Sequence, residues 1–108
     1  MKLLFAIIQN DDAKPLTRAL IDSGTSVTRI SSTGGFLSGG NTTLMIGVPD
    51  ERLDDTLETI RTHSCRRQVV TVPSMGVPHS VDCATMPISV SVGGATVFIL
   101  DVEQSVKF

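Results

Sequence analysis

The chain opens on a short, unbroken apolar run, Leu3 to Ile8, the pattern of a strand covered on both faces. Asp11 or Asp12 then stands where a helix cap belongs, with Pro15 in the first turn, where a missing N–H does no harm. Leu16, Ala19 and Leu20 recur at helical spacing, and Gly24 ends the segment. Thr25 to Ser32 is rich in β-branched residues and sets Val27 and Arg29 against Thr28 and Ile30, which predicts a second strand. Residues 33–42 hold four glycines in ten positions, so regular structure is costly there and a loop is expected.

Thr43 to Val48 predicts a third strand, stopped by Pro49. Asp50 is the natural cap of a second helix, whose apolar stripe is Leu53, Leu57 and Ile60. Glu51, Asp54 and Asp55 lie early in it, and Arg61, Arg66 and Arg67 at or beyond its end, as the helix dipole favours. Gln68 to Val72 predicts a fourth strand. Residues 73–87 carry three prolines and little periodicity, which predicts a long connector. Ile88 to Val92 alternates strictly, Gly93-Gly94 supplies a two-residue turn, and Ala95 to Val102 returns as a second arm. That is the pattern of a hairpin.

This order specifies an α+β chain, a ferredoxin-like βαββαβ sandwich with an extra C-terminal strand or hairpin, formed by one domain over residues 1–108. Both helices then cover the same side of an antiparallel sheet, and the other side is bare. The first strand is apolar on both sides, so further subunits are expected to cover that bare face. With 108 residues the core is thin, and self-association would add to it.

Nine Lys and Arg against eleven Asp and Glu give a formal charge of −2, without the basic footprint that holds nucleic acid polymers. No Lys/Arg-rich amphipathic segment suggests a membrane surface, and the opening apolar run is too short to span one. A cytoplasmic protein is expected, with Cys65 and Cys83 as free thiols. A small anion held by backbone N–H groups remains compatible with the charge.

The glycine-rich segment is the richest in candidate chemistry. Phe36 and Leu37 stand between glycine pairs, outside any amphipathic pattern, where each unburied side chain costs on the order of 1.5–3 kcal/mol. Closing on a flat nucleobase explains them, and so does packing into a subunit interface or onto the sheet. Asn41 offers a donor and an acceptor suited to a base edge. No Gly-Lys-Ser/Thr follows, so this is not a P-loop, and it opens no helix, so it is not a dinucleotide fingerprint. His63 and Cys65 are two residues apart and make a poor metal pair. Ser80 beside His79 has no evident oxyanion site, and Asp54, Asp55 and Glu58 suit capping and solvation. No catalytic or metal site is expected.

The segment Ser32-Thr33-Gly34-Gly35-Phe36-Leu37-Ser38-Gly39-Gly40-Asn41-Thr42-Thr43 closely resembles the signature of the PII-like cyclic di-AMP receptors, the PstA or DarA family. The likeness extends to the opening strand, Met1 to Gln9, and to Val92-Gly93-Gly94-Ala95-Thr96-Val97-Phe98 near the end. It implies a PII-like homotrimer with three equivalent cyclic di-AMP sites between neighbours, and no other cofactor. Thr28, Gly35, Phe36, Leu37, Asn41 and Gly47 would line the pocket from one subunit, with Phe98 adding apolar surface from its neighbour. Ligand binding would change the loop's conformation and so regulate an unknown downstream protein. A PII-type sensor of ATP or ADP, or a structural trimer that docks a protein partner, are the competing readings.

The chain also departs from that family. Ser26 stands where an Arg is frequent, Gly24 where an Asn is, and Lys107 where a Gln is. Losing a phosphate-facing Arg removes a charge-assisted hydrogen bond of about 1.5–3 kcal/mol, which predicts weaker binding than is usual for the family. Lys107 and Arg29 are the cations left to compensate.

Overall fold

A computed structural model describes residues 1–31, 40–71 and 87–108. The apolar opening run becomes β1 (Lys2–Gln9), the inner strand on which everything else is built. It pairs antiparallel with β3 (Asn41–Val48) on one side and with β6 (Ala95–Asp101) on the other. β2 (Ser26–Ser31) pairs outside β3, giving the sheet order β2-β3-β1-β6. α1 (Asn10–Asp22) and α2 (Leu53–Ser64) pack on one face of this sheet. β4 (Arg67–Thr71) and β5 (Ile88–Val92) pair only with each other, as a separate two-stranded ribbon.

The core follows from alternation along the strands. Leu4, Ala6 and Ile8 of β1 and Leu44, Ile46 and Val48 of β3 all point toward the helices and are fully buried. Ala13, Leu16 and Leu20 form one stripe of α1 and meet them, together with Ile60 of α2. Each such side chain removed from water contributes about 1.5–3 kcal/mol.

The expected α+β ferredoxin-like class is what the chain adopts, but its fourth strand is not the predicted one. Gly93-Gly94 does not fold β5 back onto β6; β5 pairs with β4, and β6 crosses to lie beside β1. The Gly93 N–H donates to Gln9 Oε1 at 2.8 Å and the Gly94 N–H to the Ser64 carbonyl at 2.5 Å, so both glycines are spent tying the crossover to the body. The free edge of β1 also offers β6 apolar neighbours on each face, Phe5 against Phe98 on one and Ala6 against Val97 on the other. A two-residue turn signal is local, and this edge outweighs it. β4–β5 is the addition to the ferredoxin-like sheet. β4 begins at Arg67, one residue before the predicted strand.

Neither predicted helix cap is used. α1 starts at Asn10 from an extended Gln9 with no side-chain cap, which moves Pro15 out of the first turn and leaves the Asp11 carbonyl without its usual donor. Asp12 is instead 5% exposed and held by Arg67 of β4, with Nη2 2.7 Å from Oδ1 and Nη1 3.4 Å from Oδ2. Asp50 lies in a 3-10 turn, Asp50–Arg52, that leads into α2. Its carboxylate pairs with the amino group of Met1 at 2.8 Å, which holds its pKa below the ordinary value.

The Asp12–Arg67 pair fastens the root of the β4–β5 arm to α1. The described chain is elongated, 63 × 26 × 20 Å, with a radius of gyration of 17.8 Å. A compact domain of about 100 residues has roughly 13 Å. At the arm's root Gly93 has φ +83°, and a Cβ there would stand 2.5 Å from both the Cys65 carbonyl oxygen and Arg67 Nη1. Gly93→Ala is therefore expected to lower the unfolding free energy by about 2 kcal/mol or more, read from urea denaturation. An unchanged midpoint would show that the crossover is not seated as described.

Candidate functional site

The face of the sheet opposite the helices carries four of the residues expected to bind ligand. Alternation assigns it Leu3, Phe5, Ile7 and Gln9 from β1, and Asn41, Thr43, Met45 and Gly47 from β3. Register then lays out rows across the four strands. Thr28, Met45, Phe5 and Phe98 form one row; Ser26, Gly47, Leu3 and Leu100 form the next; Ile30, Thr43, Ile7 and Thr96 form the third. Most of these side chains are apolar, and no helix among the described residues covers them. Phe98 is 47% exposed, Leu100 44% and Ile30 37%. On a single chain this is an unburied hydrophobic surface.

Four of the expected ligand-binding residues, Thr28, Asn41, Gly47 and Phe98, stand on this one face. Thr28 and Gly47 are diagonal neighbours across β2 and β3. Phe98 lies three strand spacings from Thr28, about 14 Å at the usual separation. Asn41 is six residues along β3 from Gly47, about 20 Å away, and is buried where the strand begins. One chain thus gathers Thr28 and Gly47 and spreads the rest. Gly35, Phe36 and Leu37 lie outside the described residues, as do His79, Ser80 and Cys83.

Gly47 faces Ser26 across the ladder, and a Cβ added to it would stand 3.1 Å from Met1 Cε. The Met1 side chain closes over the face of Gly47 where a side chain would otherwise stand. Arg29 is on the opposite face from Ser26 and Thr28, because it alternates with them along β2. It cannot stand in for a cation at Ser26 within its own chain. Gly24 has φ +83° just beyond α1, a conformation that Gly and Asn share. The departure at Gly24 therefore keeps the backbone and removes only a side chain.

The strand ends that flank residues 32–39 are fixed by a small polar network that the sequence reading missed. Thr42 Oγ1 donates to Asn10 Oδ1 at 2.6 Å, Arg29 Nη2 reaches Thr42 Oγ1 at 3.5 Å, and the Asn10 N–H donates to the Gly40 carbonyl at 3.3 Å. Gly40 has φ +88°, and a Cβ there would lie 2.9 Å from Asn10 Nδ2. The signal available beforehand was Gly40 itself, the last glycine before the strand. Its partner Asn10, thirty positions earlier, announces nothing of the kind.

Other chemistry finds little support. Among the described residues no three His, Cys, Asp or Glu side chains gather as a metal site. His63 Nδ1 lies 2.9 Å from the Thr59 carbonyl, and Cys65 is a free, exposed thiol. No helix among the described residues is long and apolar enough to cross a membrane.

Two comparisons bear on this face. A family model described as "Cyclic-di-AMP receptor" matches residues 1–108. The crystal structure of a functionally unknown protein from Pediococcus pentosaceus ATCC 25745 is 42% identical to the chain, with a TM-score of 0.82. That match covers 99% of this chain and 96% of the other.

Gly40→Ala tests the polar network directly. A positive φ and a close contact with Asn10 together predict a loss of about 1–2 kcal/mol of stability by thermal or urea denaturation. A variant as stable as the parent would mean that Asn10 does not hold this strand end.

Proposed function

Since the chain belongs to the cyclic di-AMP receptor family, we propose that it binds cyclic di-AMP at the rim of its open sheet face, in a cleft completed by further copies of itself. The observation that carries this reading is the common placement of Thr28, Asn41, Gly47 and Phe98 on the one face that the helices leave bare. A single base cannot touch residues 14 to 20 Å apart on a flat sheet, so a closed pocket draws on two chains. Thr28 and Gly47 come from one copy and Phe98 from its neighbour, and Asn41, at the far end of β3, is assigned to the site by resemblance. Gly35, Phe36 and Leu37 join this site on resemblance alone.

The homotrimer has its own physical support. Leu3, Phe5, Ile7, Met45, Phe98 and Leu100 make an apolar surface that monomers rarely leave in water. Three copies facing inward would bury it and bring the rims of neighbouring sheets together. The receptor then acts by what its occupied state presents to a downstream protein, with no reaction catalysed.

Calorimetry of the pure protein tests the ligand. Cyclic di-AMP is expected to give saturable heat, while ATP and cyclic di-GMP give none under the same conditions. Silence with cyclic di-AMP at tens of micromolar protein overturns the reading, and tighter binding of ATP moves it to a mononucleotide sensor. Ser26→Arg supplies a test of opposite sign. Restoring a cation opposite Gly47 should tighten cyclic di-AMP by roughly ten-fold or more, from a charge-assisted bond of about 1.5–3 kcal/mol.

Association is tested separately by placing a charge on the open face. Leu100→Asp is expected to reduce the sedimentation mass from that of three chains to one and to abolish cyclic di-AMP binding with it. A parent protein that sediments as a single chain would remove the shared cleft.

A further inference from the structure

On the helix side of the sheet, away from the open face, a groove of about 260 Å³ runs between α1 and β2. Its lining is Lys14, Thr17, Arg18, Ile21 and Arg29. Three cations therefore surround one hollow in a chain whose formal charge is −2. No carboxylate lines it, and none lies within ion-pairing distance of Lys14, Arg18 or Arg29 among the described residues. Gathering three like charges without an anion raises the local potential, and a bound anion relieves it.

Thr17 adds a second observation. The helical hydroxyls of Thr56, Thr59 and Ser64 each donate to the carbonyl four residues back. The Thr17 hydroxyl oxygen is buried and has no hydrogen-bond partner among the described residues. Threonine in a helix populates two χ1 wells, and the exchange turns the hydroxyl about Cβ without moving the backbone. A donor without a partner thus lies just behind the wall of the cationic hollow, and that exchange would turn it toward the hollow.

The surroundings decide the kind of anion. Asp11 and Asp22 lie on the same stripe of α1 as Lys14 and Arg18, one near each end of the helix. Both are exposed. An extended polyanion or an anionic membrane would press against these carboxylates, whereas a small anion fits between them. Three separated cations suit two linked phosphates better than one. Ile21, 58% exposed at the rim, provides apolar surface next to the charge.

We propose that the α1–β2 groove is a second ligand site, in which Lys14, Arg18 and Arg29 bind the diphosphate group of a small soluble molecule, free or carried on a short apolar ester. Arg29 alternates with Thr28 and Ile30 along β2, so this site lies through the sheet from the proposed cyclic di-AMP cleft and does not share its residues.

The test is a titration of the isotopically labelled full chain with inorganic pyrophosphate, followed by backbone amide shifts. Saturable shifts confined to Lys14–Ile21 and Val27–Ile30 are expected. Arg18→Gln and Arg29→Gln should each weaken binding about ten-fold, while Arg66→Gln, which makes the same charge change elsewhere, leaves it unaltered. Non-saturating shifts, shifts spread over every basic residue, or equal weakening by Arg66→Gln would overturn the site. Binding to phosphatidylglycerol vesicles with no response to pyrophosphate would overturn it as well. Ethyl diphosphate binding tighter than pyrophosphate assigns an esterified ligand resting on Ile21, and equal binding assigns the free diphosphate. Cyclic di-AMP calorimetry on Arg18→Gln separates the two sites. Unchanged heat is expected, and lost heat would make this groove part of the cyclic di-AMP site and end its standing as a second one.

Discussion

A strand that is apolar on both faces has to be covered twice, and β1 imposes that demand on the whole chain. Leu4, Ala6 and Ile8 satisfy it on one side by burial under the two helices. Leu3, Phe5 and Ile7 present the same requirement on the other side, where the described residues supply no second layer. The neighbours of β1 repeat the pattern, with Met45 on β3 and Phe98 and Leu100 on β6. One half of the hydrophobic surface folds the subunit. The other half remains available for association, and it is this half that carries the candidate ligand residues.

The second structural decision is where the last strand goes. β6 could have turned back on β5 through Gly93-Gly94, but beside β1 it gains an apolar edge with matching positions on both faces. Once β6 has crossed, β4 and β5 are left as a ribbon of two strands, and such a ribbon is only marginally stable alone. Its root is accordingly fastened to the body by Arg67 on buried Asp12, Gln9 on Gly93, and Ser64 on Gly94. The raised pKa of Arg67 has the same origin, first its hydrogen bond to the Asp12 carboxylate and then the charge itself.

Elements were more legible than their pairings. The alternation of Thr28 with Arg29, and the unbroken run Leu3 to Ile8, foretold strands because side-chain period and burial are local properties. Asp12 was misread as a cap because its partner Arg67 lies 55 residues away, and at short range an early Asp looks the same either way. Asp50 was misread likewise, its partner being the amino group of the first residue. The rows across the open face needed the register, which no single strand contains. Thr28, Asn41, Gly47 and Phe98 were named from a resemblance, and register then placed all four on one side of the sheet.

Stability and recognition therefore draw on different residues. Positions that hold the subunit together, such as Leu4, Leu44 and Ile46, are fully buried and tolerate little change. Thr28 and Phe98 are exposed in the single chain, and Ser26 is too. A Ser at that position is compatible with the fold because it is exposed on the face away from the helices, opposite Gly47. Gly24 replaces an Asn at the same low structural cost, since both residue types accept its positive φ. Side chains on this rim can change while the sheet beneath them keeps its register. The fold of this chain is constrained by β1, and its open face is left to the residues that β1 does not need.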